Sequence, residues 1–343
     1  MRGLANGVLG LALLTSSIGC SGGDAGPRDS VTAPNGGTGS TGGPIVVDPP
    51  SMRTVVYVPS WNSRLSAWVG SLDFTNVTHV NLSFAEVDVG GNVRYPDTAL
   101  PSFIDRAHQF QVKVCVAIGG ATTIENGGPF RNLLQAANRA AFVDRLVNFV
   151  VSNNLDCLDV DLEGNGVDEN YEAFVTELQA KLKPQNKELT AAVAAWFGDR
   201  ITDNALATFD FINVMAYDLY YERNTPMQWS SMDAATKEVD RWVGRGVPKD
   251  RVVYGVPFYG MSWPAAGGAP ETLGYGTLLR LDANVTTKDE LQFEGNIIYL
   301  NSRATIQAKA KLAQTYGGIM AWELSQDAKG EASLLKAIRE VVP

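Results

Sequence analysis

Eight short runs of apolar, largely β-branched residues recur along the chain between positions 53 and 343. The longer stretches between them carry apolar residues at helical spacing, as at Tyr171, Phe174, Leu178 and Leu182. Strands that alternate with helices form parallel sheets, and near-continuous hydrophobicity within each strand indicates burial on both faces. The pattern predicts a (β/α)8 TIM barrel rather than an open doubly wound sheet. The predicted strands are 54–58, 77–84, 112–118, 155–161, 188–194, 211–216, 252–257 and 318–322.

The residues ahead of this domain have the composition of an export signal and a linker. An apolar run at 8–14 follows Arg2 and is too short to span a bilayer. The small residues before Cys20 resemble a lipobox, the bacterial signal for lipidating a cysteine, so residues 1–20 are predicted to be a lipoprotein-type signal peptide. Residues 21–52 are rich in Gly, Ser, Thr and Pro and predict a flexible linker. We therefore expect an exported protein that is either anchored to a membrane through Cys20 or secreted.

Composition excludes several classes of function. The net charge of -9 argues against a nucleic-acid partner. Only two histidines are present, His79 and His108, which is too few for a His/Cys zinc site once Cys20 is lipidated. No GxSxG motif supports a serine triad. We expect a monomer with no cofactor and no metal.

The two remaining cysteines, Cys115 and Cys157, both lie in apolar segments predicted to be strands. Disulfide geometry is hard to satisfy between neighbouring parallel strands. We therefore predict two buried free thiols.

Acidic residues alternate along the fourth predicted strand. Side chains two apart share one face of a strand, so Asp159, Asp161 and Glu163 would form a column with steps of about 6.6 Å. This column climbs toward the C-terminal end of the barrel, where catalytic groups lie in this fold. Confined carboxylates repel one another and titrate as a coupled set, so at least one pKa should be raised, as a proton donor requires. A calcium loop of the EF-hand type would need Glu at position 170, which is Asn170.

The fourth strand resembles the signature of a known enzyme family. Its segment 156–163, DCLDVDLE, fits the DxxDxDxE motif of family 18 glycoside hydrolases, the chitinase family. Further similar segments follow in the expected order along the chain: 55–61 (VVYVPSW), 81–85 (NLSFA), 215–218 (MAYD), 254–260 (YGVPFYG) and 317–327 (GGIMAWELSQD).

The chain departs from the family pattern at three places. Ala117 stands where the third-strand motif SxGG has a serine, and Cys157 stands where the signature usually has glycine. The segment 264–316 is too short for both the last helix and a full-size insertion domain between strands seven and eight. We expect a shallow groove on that side.

The resemblance implies retaining, substrate-assisted hydrolysis of β-1,4-linked N-acetylglucosamine polymers such as chitin. Glu163 would be the proton donor, Asp161 would orient the substrate's acetamido group, and Asp159 would hold Asp161. Tyr217 would hydrogen-bond the acetamido carbonyl. The substrate-binding positions implied by the motifs and strand ends are Asp218, Met215, Trp322, Trp61, Phe84, Gly120, Tyr220 and Trp263. Among the aromatic residues, Trp61, Tyr220, Tyr221 and Trp263 are candidates to stack against further sugar rings.

Two alternatives remain open at this stage. The same chemistry would serve an endo-β-N-acetylglucosaminidase or a peptidoglycan hydrolase, because their substrates also contain N-acetylhexosamine. A non-catalytic chitin-binding lectin on this barrel would typically lack the catalytic glutamate, which this chain retains at Glu163.

Overall fold

A computed structural model describes residues 52–61, 65–219, 225–264 and 266–342. The signal peptide, Cys20 and nearly all of the predicted linker lie outside these ranges. Eight parallel strands close into a barrel in the order β1-β8-β7-β6-β5-β4-β3-β2, which confirms the predicted TIM barrel. The strands are β1 (Arg53–Pro59), β2 (His79–Ser83), β3 (Lys113–Gly120), β4 (Cys157–Leu162), β5 (Glu188–Val193), β6 (Phe211–Val214), β7 (Val252–Pro257) and β8 (Gly318–Trp322).

Helices surround this barrel, and the longer ones bury apolar residues. In the helix after β4, Tyr171, Phe174, Leu178 and Leu182 are all buried, as the spacing predicts. None of the helices within the described ranges is both long and apolar enough to cross a bilayer. The α-helices of the described chain are α1 (Leu65–Ser71), α2 (Leu100–Gln109), α3 (Phe130–Leu133), α4 (Ala136–Ser152), α5 (Tyr171–Leu182), α6 (Ala195–Gly198), α7 (Asp203–Thr208), α8 (Met232–Gly244), α9 (Tyr275–Leu281), α10 (Arg303–Ala313) and α11 (Leu334–Arg339).

A small antiparallel sheet is inserted between β7 and β8. Its four strands pair in the order Glu271–Gly274, Tyr259–Pro264, Asn296–Tyr299 and Glu290–Phe293. Helix α9 belongs to the same insertion, and α10 then returns the chain to the barrel. The insertion therefore stands beside the C-terminal end of β7, at the mouth of the barrel.

The prediction of two free thiols is wrong, because Cys115 and Cys157 form a disulfide. They are direct partners in the register of β3 and β4, and both side chains are fully buried. Their Cα atoms lie 4.4 Å apart, at the short end of the range that a disulfide can bridge. The sequence places both residues in strands, but only the register brings the two side chains opposite each other.

Removing this disulfide is expected to lower the free energy of unfolding by about 4 kcal/mol. The bridge spans 42 residues of sequence and restricts the unfolded chain accordingly. Denaturant unfolding of the wild type and of the double variant Cys115→Ala/Cys157→Ala should be compared with and without reductant. Reductant should destabilise only the wild type, and equal midpoints for the oxidised wild type and the variant would contradict the prediction.

Candidate active site

The predicted acidic column is present at the centre of the barrel. Asp159 and Asp161 lie on β4 and are almost completely buried, whereas Glu163 follows the end of the strand and is half-buried. Asp156 is not part of this column. Its carboxylate accepts a hydrogen bond from the backbone N–H of Val114 and lies 2.8 Å from His108 Nε2. The first acid of the motif therefore joins β4 to its neighbours, and the other three face the barrel interior.

Asp159 is held by donors from three other strands. Tyr57 Oη donates a hydrogen bond of 2.6 Å, Thr190 Oγ1 one of 2.5 Å, and Asn213 Nδ2 one of 3.3 Å. The serine missing at Ala117 would have faced the same position, because Ala117 is the register partner of Asp159. Asp159 is therefore fixed without it.

The carboxyl groups perturb one another as the sequence predicts. Burial raises the pKa of Asp161 well above its usual range, and the nearby charges of Glu163 and Asp159 raise it further. Burial, with a contribution from the charge of Asp218, raises the pKa of Glu163 to about 7. Burial also raises the pKa of Asp159, although its hydrogen bonds oppose that shift. A carboxyl group with the pKa of Glu163 can be protonated near neutral pH and still give up its proton.

One buried carboxylate oxygen of the column lacks a hydrogen-bond partner among the described residues. Asp161 Oδ1 is buried and accepts no hydrogen bond from the described part of the chain. Leaving a buried polar atom unpaired costs about 1–3 kcal/mol. A ligand that brings an N–H or O–H group to this atom would recover that cost.

A tyrosine pair lies on the β6 and β7 side of the column. Tyr217 is buried, and its ring meets Tyr259 edge-to-face with centroids 6.3 Å apart. Tyr259 Oη donates a hydrogen bond of 2.7 Å to Asp218 Oδ1. Burial and the acidic column raise the pKa of Tyr217 well above its usual range, so its hydroxyl stays protonated and can donate. Met215, at the end of β6, packs against both apolar clusters of the interior.

Aromatic side chains form another part of the barrel mouth. Trp61 and Phe84 follow β1 and β2, Trp322 is the last residue of β8, and the three ring centroids lie 6.1–6.2 Å apart. Trp61 is 54% exposed. Gly120 makes room for Phe84, because a Cβ at Gly120 would come within 2.7 Å of the Phe84 ring.

One of the candidate stacking residues is not exposed at the barrel mouth. Trp263 is fully buried within the insertion sheet, where its ring packs edge-on to Tyr299, so it offers no exposed face, and its stacking against a sugar stays a prediction. Its position after β7 suggested a loop, but the chain continues there as a strand with Trp263 facing inward. Tyr220 and Tyr221 lie outside the described residues.

Several residues that shape the site were not among those predicted from the sequence. Tyr57, Thr190 and Asn213 contact Asp159, and Tyr259 contacts Asp218. The signal in the sequence that could have identified Tyr57, Thr190 and Asn213 is a polar or tyrosine side chain within an otherwise apolar strand. Trp196, which follows β5 and is 59% exposed, was missed as well.

Comparison with known proteins identifies the family. Residues 53–327 match the model of Glycosyl hydrolases family 18, so the chain belongs to this family. A family 18 chitinase, ChiB from the chitin utilization locus of Flavobacterium johnsoniae, superposes with a TM-score of 0.76 at 31% identity, covering 85% of this chain and 94% of that one.

Curated sequences show the same similarity. Chitotriosidase-1 of Mus musculus is 28% identical over 65% of this chain and 56% of its own length. Class V chitinase of Arabidopsis thaliana is 24% identical over 80% of this chain and 87% of its own length. The chain thus spans little more than half the length of the mouse relative.

Proposed function

We propose that this protein is a chitinase-type glycosidase that hydrolyses β-1,4-linked N-acetylglucosamine polymers. The observation that carries the proposal is the column in which an unpaired, buried oxygen of Asp161 lies next to a proton donor, Glu163, with a pKa of about 7. Family membership and the similarity to chitinases support the choice of substrate.

The residues favour a retaining mechanism in which the substrate supplies its own nucleophile. The carbonyl oxygen of the N-acetyl group attacks the anomeric carbon while the bond to the leaving oxygen breaks, and Glu163 gives its proton to that oxygen. Water then opens the resulting oxazolinium ion and returns a proton to Glu163. Two displacements at one carbon retain its configuration. This scheme is an exception to the usual pair of catalytic carboxylates.

The neighbouring groups match this scheme. Asp161 Oδ1 would accept the acetamido N–H and stabilise the positive charge of the ion. Asp159, fixed by its three donors, would act on Asp161 through its charge, which favours the protonated form of Asp161. Tyr217 would donate to the acetamido carbonyl, Asp218 would contact the same sugar, and Trp322 would form its floor.

Hydrolysis is expected to fall as pH rises through about 7, because Glu163 then loses the proton that it must donate. The charge of Asp218 contributes to the raised pKa of Glu163, so Asp218→Asn should move this alkaline limb to lower pH. The measurement is kcat/KM against pH on a soluble chitooligosaccharide. Asp233→Asn on the exposed face of α8 is the matched control and should leave the profile unchanged. An unchanged limb in Asp218→Asn would count against the assignment.

Side-by-side digestion identifies the polymer. Chitohexaose, peptidoglycan and a high-mannose glycoprotein should be incubated with the protein and the products identified by mass. We expect chitohexaose to be cleaved fastest. Preferential cleavage of one of the other two would favour the alternative hydrolases, and binding without products would favour a lectin.

We also propose that the protein is exported and anchored through a lipid on Cys20. The Cys115–Cys157 disulfide supports export, because disulfides persist in oxidising compartments. Cys20→Ala should move the protein from the membrane fraction to the soluble fraction, and an unchanged distribution would argue against the anchor.

A further inference from the structure

Trp196 is a large aromatic residue exposed at the mouth of the barrel. It lies three residues beyond the end of β5, and 59% of its surface is exposed. Its ring meets the buried Phe197 edge-to-face at 4.8 Å. The indole is therefore anchored on one side and open to solvent on the other, although exposing so much apolar surface opposes folding.

The exposed indole is fixed relative to the proton donor. Gly164 directly follows Glu163 and has a φ of +52°, and a Cβ there would lie 3.1 Å from Trp196 Cη2. The edge of the indole thus lies beside the residue that follows the catalytic acid and occupies space that a side chain at Gly164 would need. Arg200 Nη1 holds the same backbone by donating to the carbonyl of Gly164 and to Asn165 Oδ1.

Strand order places Trp196 away from the other exposed tryptophan. Trp61, Phe84 and Trp322 lie at the ends of the adjacent strands β1, β2 and β8. Trp196 follows β5, which lies across the barrel from β1 and next to β4. A proton donor must touch the leaving oxygen, so the departing sugar has to lie against Glu163. In the proposed mechanism, the sugar that is attacked lies above Trp322.

We propose that Trp196 is the stacking platform for the departing sugar and sets the preference for a pyranose leaving group. This inference rests on the proposed function and deepens it. The apolar C–H face of a β-1,4-linked pyranose fits a flat indole, as aromatic platforms commonly provide. A groove of about 580 Å³ is lined in part by Asn165, Arg200 and Arg131, and its polar lining suits the hydroxyl groups of further sugars.

Two substrates that differ only on the leaving side test this inference. The leaving group of chitotetraose is a sugar. The leaving group of chitobiosyl fluoride is fluoride, which places nothing on Trp196. Trp196→Ala should lower kcat/KM for chitotetraose roughly tenfold, and Trp196→Phe should restore much of it. Both variants should cleave chitobiosyl fluoride like the wild type. Val89→Ala, which truncates another exposed apolar side chain, is the control and should change neither rate.

The outcomes separate the inference from the proposed function. Equal losses on both substrates, or no loss on either, in an otherwise active enzyme would overturn the role of Trp196 alone. A wild type that cleaves neither substrate would overturn the proposed function, and the inference with it. Thermal unfolding of each variant shows whether the fold is retained. We expect it to be retained, because Trp196 is exposed.

Discussion

Replacing Glu163 with glutamine is expected to lower kcat on chitooligosaccharides by at least about a hundredfold, because general acid catalysis contributes roughly 10²- to 10⁴-fold. Glutamine has nearly the same shape but cannot donate a carboxylic proton to the leaving oxygen. Oligosaccharide binding should be largely retained, since Asp161, Tyr217 and the aromatic residues are unchanged. Calorimetric binding and a product assay on the same preparation would measure both effects.

The pH dependence of stability gives a second, independent measurement on the Glu163→Gln variant. The raised pKa of Glu163 means that the native protein holds more protons than the unfolded chain between about pH 4.5 and 7. The carboxyl group of Glu163 therefore lowers the free energy of unfolding as pH rises through that window. Glu163→Gln removes this pH dependence. We expect the variant to be at least as stable as the wild type at pH 7 and above.

A matched substitution on the same face of the barrel serves as the control. Glu125→Gln lies in the exposed loop after β3 and should leave kcat unchanged. If Glu163→Gln retained more than about a hundredth of wild-type kcat, the assignment of Glu163 as the acid would be wrong.

Fully deacetylated chitosan is expected to be inert, which is the second large effect. Without the acetyl group, the sugar has no carbonyl oxygen to attack its own anomeric carbon, however well the polymer binds. A thiazoline analogue of the cyclic intermediate should inhibit, because it copies the geometry that Asp161 and Tyr217 are proposed to hold. Reducing-sugar release from acetylated and deacetylated polymers of equal length would be compared.

Binding of the deacetylated polymer must be measured alongside, so that lack of cleavage is not mistaken for lack of binding. Hydrolysis at a rate close to that of the acetylated polymer would require a nucleophile from the protein. Asp161 would then be the first residue to test, by Asp161→Asn and by trapping of a covalent intermediate. Family and fold would stand, but the proposed mechanism would not.

Much of the barrel follows from local pattern. The β4 segment predicts a strand because Val160 and Leu162 alternate with acids, and that alternation places Asp159, Asp161 and Glu163 on one face. The boundaries of 252–257 and 318–322 agree with β7 and β8 to the residue. Local pattern fails at residues 259–264. They follow the seventh barrel strand and were expected to be a loop, but they form a strand of the insertion sheet.

The sequence by itself determined the repeated βα architecture, the acidic column and the family signature, because strand periodicity is local and fixes which side chains share a face. Only the tertiary structure decided what surrounds that column. The register of β3 and β4 brought Cys115 opposite Cys157, and closure of the barrel brought Tyr57, Thr190 and Asn213 to Asp159 from strands far apart in the chain. Folding likewise buried Trp263 and set Trp196 beside Gly164. These contacts depend on distances across the barrel, which spacing along one chain does not encode.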